Sequence, residues 1–155
     1  MEKEFSIDHQ LRATWQAVAK MYNEQAETFD STMAMAFVIL NIDFENGTPS
    51  TSLGPLMGME ATSLSRILKS MEEKGAIYRE KNPNDGRGVL IKLTYLGKEK
   101  REDAKIAVLR FNEVIRQNVT KEELVSFFKV TKTINKLISK NEVFPKKVKS
   151  QKITI

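Results

Sequence analysis

The chain has 155 residues, 41% hydrophobic and 29% charged, the balance of one compact domain rather than of a disordered or fibrous protein. With no cysteine it has no disulfide framework, thiolate nucleophile or thiol redox switch, and with His9 as its one histidine a metal cluster or a Ser-His-Asp triad has almost nothing to build on. No stretch approaches the roughly 20 apolar residues of a membrane span, and Met1 to Phe5 lack the apolar run of a signal peptide, so a cytoplasmic protein with no membrane partner, cofactor or bound metal is expected. The net charge of +5 is unevenly spread: residues 1–30 carry three basic and six acidic groups, residues 51–94 seven and five, and residues 95–140 eleven and six. A modest basic excess of this kind permits a polyanionic partner without requiring one.

From Leu11, apolar residues recur at Trp15, Val18, Tyr22, Ala26 and Phe29, the stripe of an amphipathic helix. Asp30, Ser31 and Thr32 offer N-cap oxygens ahead of the run 33–40, apolar on nearly every side and therefore expected as a buried helix. Gly47 and Pro49 close that segment. Residues 51–57 predict a short helix with Gly54-Pro55 near its start, where a missing N–H is tolerated, and Gly58 permits a sharp turn. Residues 61–74 place Leu64, Ile67, Leu68 and Met71 on one face, with Gly75 as a left-handed terminator. The opposite face presents Thr62, Ser63, Ser65, Arg66 and Lys69.

Residues 77–81 and 89–93 read as two strands around a tip dense in turn formers, Asn82 to Gly88. Thr94 caps a long helix with Leu96, Ala104, Val108, Phe111 and Ile115 inward, although Gly97 stands where a capping-box Glu would sit. Thr120-Lys121-Glu122-Glu123 fits a capping box and opens a helix with Leu124, Phe127, Phe128, Thr131, Ile134 and Ile138 at helical spacing. The expectation is five or six helices and one hairpin, a mainly α chain.

A short helix, a tight turn, a helix with a polar cationic face and a hairpin with an Arg at its tip follow one another as in a winged helix-turn-helix. In that arrangement Thr62, Ser63 and Ser65 approach base edges and phosphates, Arg66 reads guanine by a bidentate contact, and Lys69 contacts phosphate. Arg87 at the tip enters an adjacent minor groove, and Asp85, two residues away, orients its guanidinium by a charge-assisted hydrogen bond.

Two blocks carry a family resemblance. ATSLSRILKSMEEKGAIYRE resembles the recognition helix and first wing strand of the MarR (multiple antibiotic resistance regulator) family of bacterial winged-helix transcription factors. NPNDGRGVLIKLTYLGKE resembles its D-x-R wing, returning strand and the L-T-x-x-G entry to the next helix. The resemblance implies a MarR-like single domain over 1–155: a winged helix-turn-helix lobe at 31–94, a helical dimerisation region from the N- and C-terminal helices at 1–30 and 95–140, and a basic tail at 141–155. It further implies a homodimer on a pseudopalindromic double-stranded DNA operator, acting as a repressor released by a small molecule, with Thr62, Ser63, Ser65, Arg66, Asp85 and Arg87 at the family's DNA-binding positions. Lys69 departs from it, standing where an acidic residue is frequent, and Gly86 and Gly88 flank Arg87 where bulkier residues are usual. The alternative is a winged-helix interaction module without specific DNA binding, which the small charge excess at 51–94 permits.

Trp15, Tyr22, Phe37 and Phe111 are candidates to line a pocket for a small aromatic or apolar effector, against the plainer reading of core packing. The same choice applies to Met33, Met35, Met57, Met59 and Met71, for which core is the expectation. His9 reads as an exposed residue at the start of the first helix, and the tail lysines as either phosphate contacts or a solvated end.

Overall fold

The computed structural model describes residues 6–144. The order is α1 (Ile7–Glu27), α2 (Met33–Asn41), β1 (Thr48–Pro49), α3 (Ser50–Met57), α4 (Ala61–Glu73), β2 (Ile77–Lys81), β3 (Val89–Leu93), α5 (Tyr95–Asn118) and α6 (Lys121–Ser139). The chain divides into two compact units, Met1–Arg110 and Phe111–Ile155, with the boundary inside α5.

The first unit holds the winged-helix core. Val38 and Ile39 of α2, Ile42, Leu53 of α3, Leu64, Leu68 and Met71 of α4, and Ile77, Ile91 and Leu93 of the sheet form one buried cluster. Met35, Met57 and Met59 pack against it and Met71 lies inside it, which answers the question for these four in favour of core. Thr32 caps α2 by accepting from the Met35 amide at 3.2 Å, and Asn23 of α1 accepts from the Met33 amide at 3.0 Å, so two of the orphan N–H groups of the first turn are satisfied.

Both hairpin strands have the expected bounds, but the sheet has a third member. Thr48 and Pro49, of which Pro49 was read from sequence with Gly47 as closing the α2 segment, form β1 and pair antiparallel with Ile91 and Leu90, giving the order β1-β3-β2. A two-residue strand carries no period-two pattern, so the sequence had no means of announcing it. The placement of Pro55 is also corrected. Because α3 begins at Ser50, Pro55 lies in the helix interior rather than near its start, and the missing N–H leaves one carbonyl of the first turn without its helical donor. Gly54 before it is buried, and a Cβ there would sit 3.2 Å from the Met59 carbonyl.

Thr94 joins the wing to α5: its amide donates to the Ala76 carbonyl at 3.1 Å, its hydroxyl to the Gly75 carbonyl, and its Oγ1 accepts from the Gly97 amide at 3.0 Å. Gly97 belongs to this junction. A Cβ at that position would come within 1.9 Å of the Ala76 carbonyl oxygen.

Several inward assignments on the long helices are altered. Phe29 lies beyond the end of α1 and is exposed, as are Leu11 and Trp15 on its stripe, while His9 is half-buried rather than exposed. On α5, Ala104, Val108 and Phe111 are half-buried but Leu96 and Ile115 are exposed. The Thr120–Glu123 capping box forms as read, with the Glu123 carboxylate accepting from the Thr120 amide at 2.7 Å and Thr120 Oγ1 accepting from the Glu123 amide at 3.2 Å. On α6 itself no residue is buried, and Val125, Phe127, Phe128, Val130 and Ile138 are more than half exposed. Of the basic tail, residues 145–155 lie outside the described residues.

Candidate nucleic-acid interface

The helix α4 turns Leu64, Leu68 and Met71 into the core and leaves Thr62, Ser63, Ser65, Arg66 and Lys69 exposed. Spacings of three and four residues put Thr62, Ser65, Arg66 and Lys69 on one outward strip. The turn before α4 depends on Gly58, whose φ of 61° is left-handed, with the Met59 amide donating to the Gly54 carbonyl at 2.9 Å.

The wing tip is exposed from Pro83 to Arg87. Asp85 acts there differently from expectation. Its Oδ1 accepts from the backbone amide of Arg87 at 3.1 Å, and its carbonyl accepts from the Gly88 amide at 2.9 Å. Asn82 contributes a matching pair: its Oδ1 accepts from the Asn84 amide at 3.0 Å, and its amide donates to the Gly88 carbonyl at 3.0 Å. Asp85 therefore fixes the turn on which Arg87 sits, and the Arg87 guanidinium is not its partner. In a chain segment this short, a carboxylate two residues before an amide reaches the backbone more readily than the end of a long side chain.

The ion pairs of this unit sort its cations. Lys74 pairs with Asp30 at 3.2 Å, Arg79 with Glu72 at 3.1 Å, and Lys92 with Glu80 at 2.7 Å. The Glu80 carboxylate raises the Lys92 pKa above its ordinary value. Arg66, Lys69 and Arg87 form no ion pair with a described residue. Within residues 51–94, Lys81 at the end of β2 likewise has no ion pair with a described residue, so four of the seven cations there, on the outward strip of α4 and on the wing, are left without a local carboxylate, although the count over 51–94 alone gives an excess of only two.

A second feature lies among α1, α2 and α5 within the same unit. A cleft there is lined by Tyr22, Phe29, Met33, Phe37, Lys100 and Asp103, with Ala26, Ala36, Ala104 and Ala107 between them. The Tyr22 and Phe37 rings meet edge to face at 5.9 Å, and burial raises the Tyr22 phenol pKa. Two of the four expected aromatics thus line it, whereas Trp15 and Phe111 do not. Phe29, Lys100 and Asp103 were missed, since Phe29 read as a continuation of the α1 stripe and the other two as part of a charged helix face. Among the described residues, no group of three or more His, Cys, Asp or Glu side chains is placed to hold a metal ion, and no helix is long and apolar enough to cross a membrane.

A helix-turn-helix backed by a three-stranded wing and flanked by long helices defines the class, a mainly α winged helix-turn-helix. Residues 32–89 match the MarR family model, a stretch that overlaps both motif blocks. It is 29% identical over 117 residues to the HTH-type transcriptional regulator SarZ of Staphylococcus saprophyticus, an overlap of 72% of this chain and 80% of that protein. Its fold is similar to that of S. aureus MepR, solved as a DNA complex, with a TM-score of 0.78, 19% identity, and 86% of this chain and 99% of that one covered. It is likewise similar to PcaV of Streptomyces coelicolor, a transcriptional regulator solved with its natural ligand, with a TM-score of 0.74, 19% identity, and 88% and 96% covered.

Proposed function

We propose that this protein is a dimeric, double-stranded DNA-binding transcription regulator of the cytoplasm, a repressor that a small aromatic or apolar effector releases from a pseudopalindromic operator. The observation that carries this reading is the sorting of charge. The lobe pairs Lys74, Arg79 and Lys92 with carboxylates but leaves Arg66 and Lys69 on α4, and Lys81 and Arg87 on the wing, without an ion pair to any described residue. In this reading α4 enters the major groove, Arg66 reads base edges, and Thr62, Ser63, Ser65 and Lys69 set the register on phosphates and neighbouring bases. Arg87 reaches the minor groove, held there by the turn that Asp85 closes. The relatives' names and the DNA complex of MepR support the same direction. The cleft around Tyr22 and Phe37 is the proposed effector site.

Two copies are needed for a pseudopalindromic site, and the exposed apolar faces of α1 and α6 are the surfaces assigned to that contact. Selection of bound sequences from a random duplex library tests the reading. Enrichment of an inverted repeat with half-sites about 10 bp apart is expected. No enrichment, with binding that ignores salt, favours the interaction module instead.

A further inference from the structure

Two lysines from different elements converge on the linker that joins α1 to α2. Lys74, the C-cap residue of α4, donates from Nζ to the Asp30 carbonyl at 3.1 Å and to Asp30 Oδ1 at 3.2 Å. Lys100, in the second turn of α5, donates to the Phe29 carbonyl at 2.6 Å. The linker between them is held in one shape: the Phe29 and Ser31 amides both donate to the Ala26 carbonyl, at 3.0 and 3.1 Å. Asp30 sits at a φ of 52°, the left-handed region that Asp and Asn tolerate better than most residues. Phe29, Ser31 and Lys100 also line the cleft among α1, α2 and α5. The same few residues therefore form a wall of that cleft and a tether on the end of α4.

We infer that the Phe29–Asp30 linker, clamped by Lys74 and Lys100, is a positioning device that ties the C-terminal end of α4 to the occupancy of the cleft. The inference rests on the proposed function only in taking α4 as the DNA-reading helix. As it stands the cleft has room for a few water molecules, so a larger occupant must displace part of its lining. Phe29 and Lys100 are among its lining residues, and any shift of Phe29 is passed to Asp30 through one peptide bond. The Lys74–Asp30 pair is exposed, and such pairs are weak, which suits a contact that must yield when the linker moves.

Filling the cleft by substitution tests the device without a known ligand. Four full-length proteins are compared: wild type, Ala104→Leu, Lys74→Met and the double variant, each first checked for folding by circular dichroism. Ala107→Leu, lining the same cleft, replaces Ala104→Leu if that variant does not fold. Hydrogen exchange of the amides at 70–75 is read alongside the Kd for duplex DNA from the protein's upstream region. Ala104→Leu is expected to speed exchange at 70–75 by about two- to fivefold, Lys74→Met alone by a similar factor, and the double variant no further than either single one. Exchange factors that multiply in the double variant, or no change at 70–75 on filling the cleft, overturn the inference. If exchange couples as expected but no variant binds DNA, the device stands and the DNA-reading role of α4 falls. If DNA binds with steep salt dependence and exchange shows no coupling, the reverse holds.

Discussion

Replacing Gly97 by Ala is expected to destabilise the protein, although the substitution improves helix propensity. An added Cβ meets the Ala76 carbonyl oxygen at 1.9 Å, so backbone must move by about 1 Å or more to reach a tolerable separation. Backbone cannot yield by a change of rotamer, so the overpacking cost falls near the upper end of its usual range, about 3 kcal/mol. Ala76 also accepts from the Thr94 amide at 3.1 Å, and displacing it gives up that bond, a further loss of about 1 kcal/mol. The Gly-to-Ala gain in the helix returns about 1 kcal/mol, leaving a net loss of about 3 kcal/mol, or about 6–12 °C in Tm for a chain of this size. Thermal unfolding of Gly97→Ala measures it, with Gly86→Ala as the control, since a Cβ at Gly86 meets nothing within 4 Å and should change stability by less than about 0.5 kcal/mol. Equal or greater stability for Gly97→Ala would refute the steric account of the wing–α5 junction.

Other expectations follow from single contacts. Asp85→Asn keeps an oxygen acceptor for the Arg87 amide and should bind duplex DNA as the wild type does, whereas Asp85→Ala should weaken binding in anisotropy titrations; equal loss in both would restore an ionic role for Asp85. Thr120→Ala removes an N-cap and should cost about 1 kcal/mol in denaturant unfolding, and no loss would mean that the α6 N-terminus is stabilised in another way. The hydrogen bonds from Thr120 to Glu123 lower its carboxyl pKa in the folded chain, so its contribution is present above the ordinary glutamate pKa and is lost as pH falls through the folded value. Helicity followed by circular dichroism should therefore fall on the acid side of that range in the wild type and less so in Glu123→Gln. Multi-angle light scattering should give a dimer, and Phe127→Lys, on the exposed face of α6, should shift it toward monomer; a stable wild-type monomer would remove the proposed two-lobed geometry.

The elements legible in the sequence are those with a periodic signal and a chemical stop. Leu64, Ile67, Leu68 and Met71 with Gly75 behind them define α4, and the alternation around Asn82 to Gly88 defines the hairpin. What was not legible depends on distant parts of the chain. The strand β1 exists because Ile91 supplies its partner, and Gly97 is needed because Ala76, more than twenty positions earlier, passes beneath it. The exposed polar face of α4 was readable because it is the complement of the core face. The role of Asp85 was misassigned because sequence separation does not distinguish an amide from a guanidinium as its partner. Phe29 and Lys100 were invisible as cleft residues because α1 stops short of Phe29, leaving it in the linker with its carbonyl facing Lys100.

The central claim, that the unpaired cations of α4 and the wing meet duplex DNA, is tested most directly by the salt dependence of binding. Anisotropy titrations of labelled duplex from the protein's upstream region, across several salt concentrations, would compare the wild type with the Arg66→Ala/Arg87→Ala variant. Each phosphate contact contributes about −0.9 to the slope of log K against log salt. If Arg66 reads base edges and Arg87 also neutralises phosphate, the double variant should bind more weakly and with a slope shallower by about one to two. Indistinguishable affinity and slope for the two proteins would contradict the account.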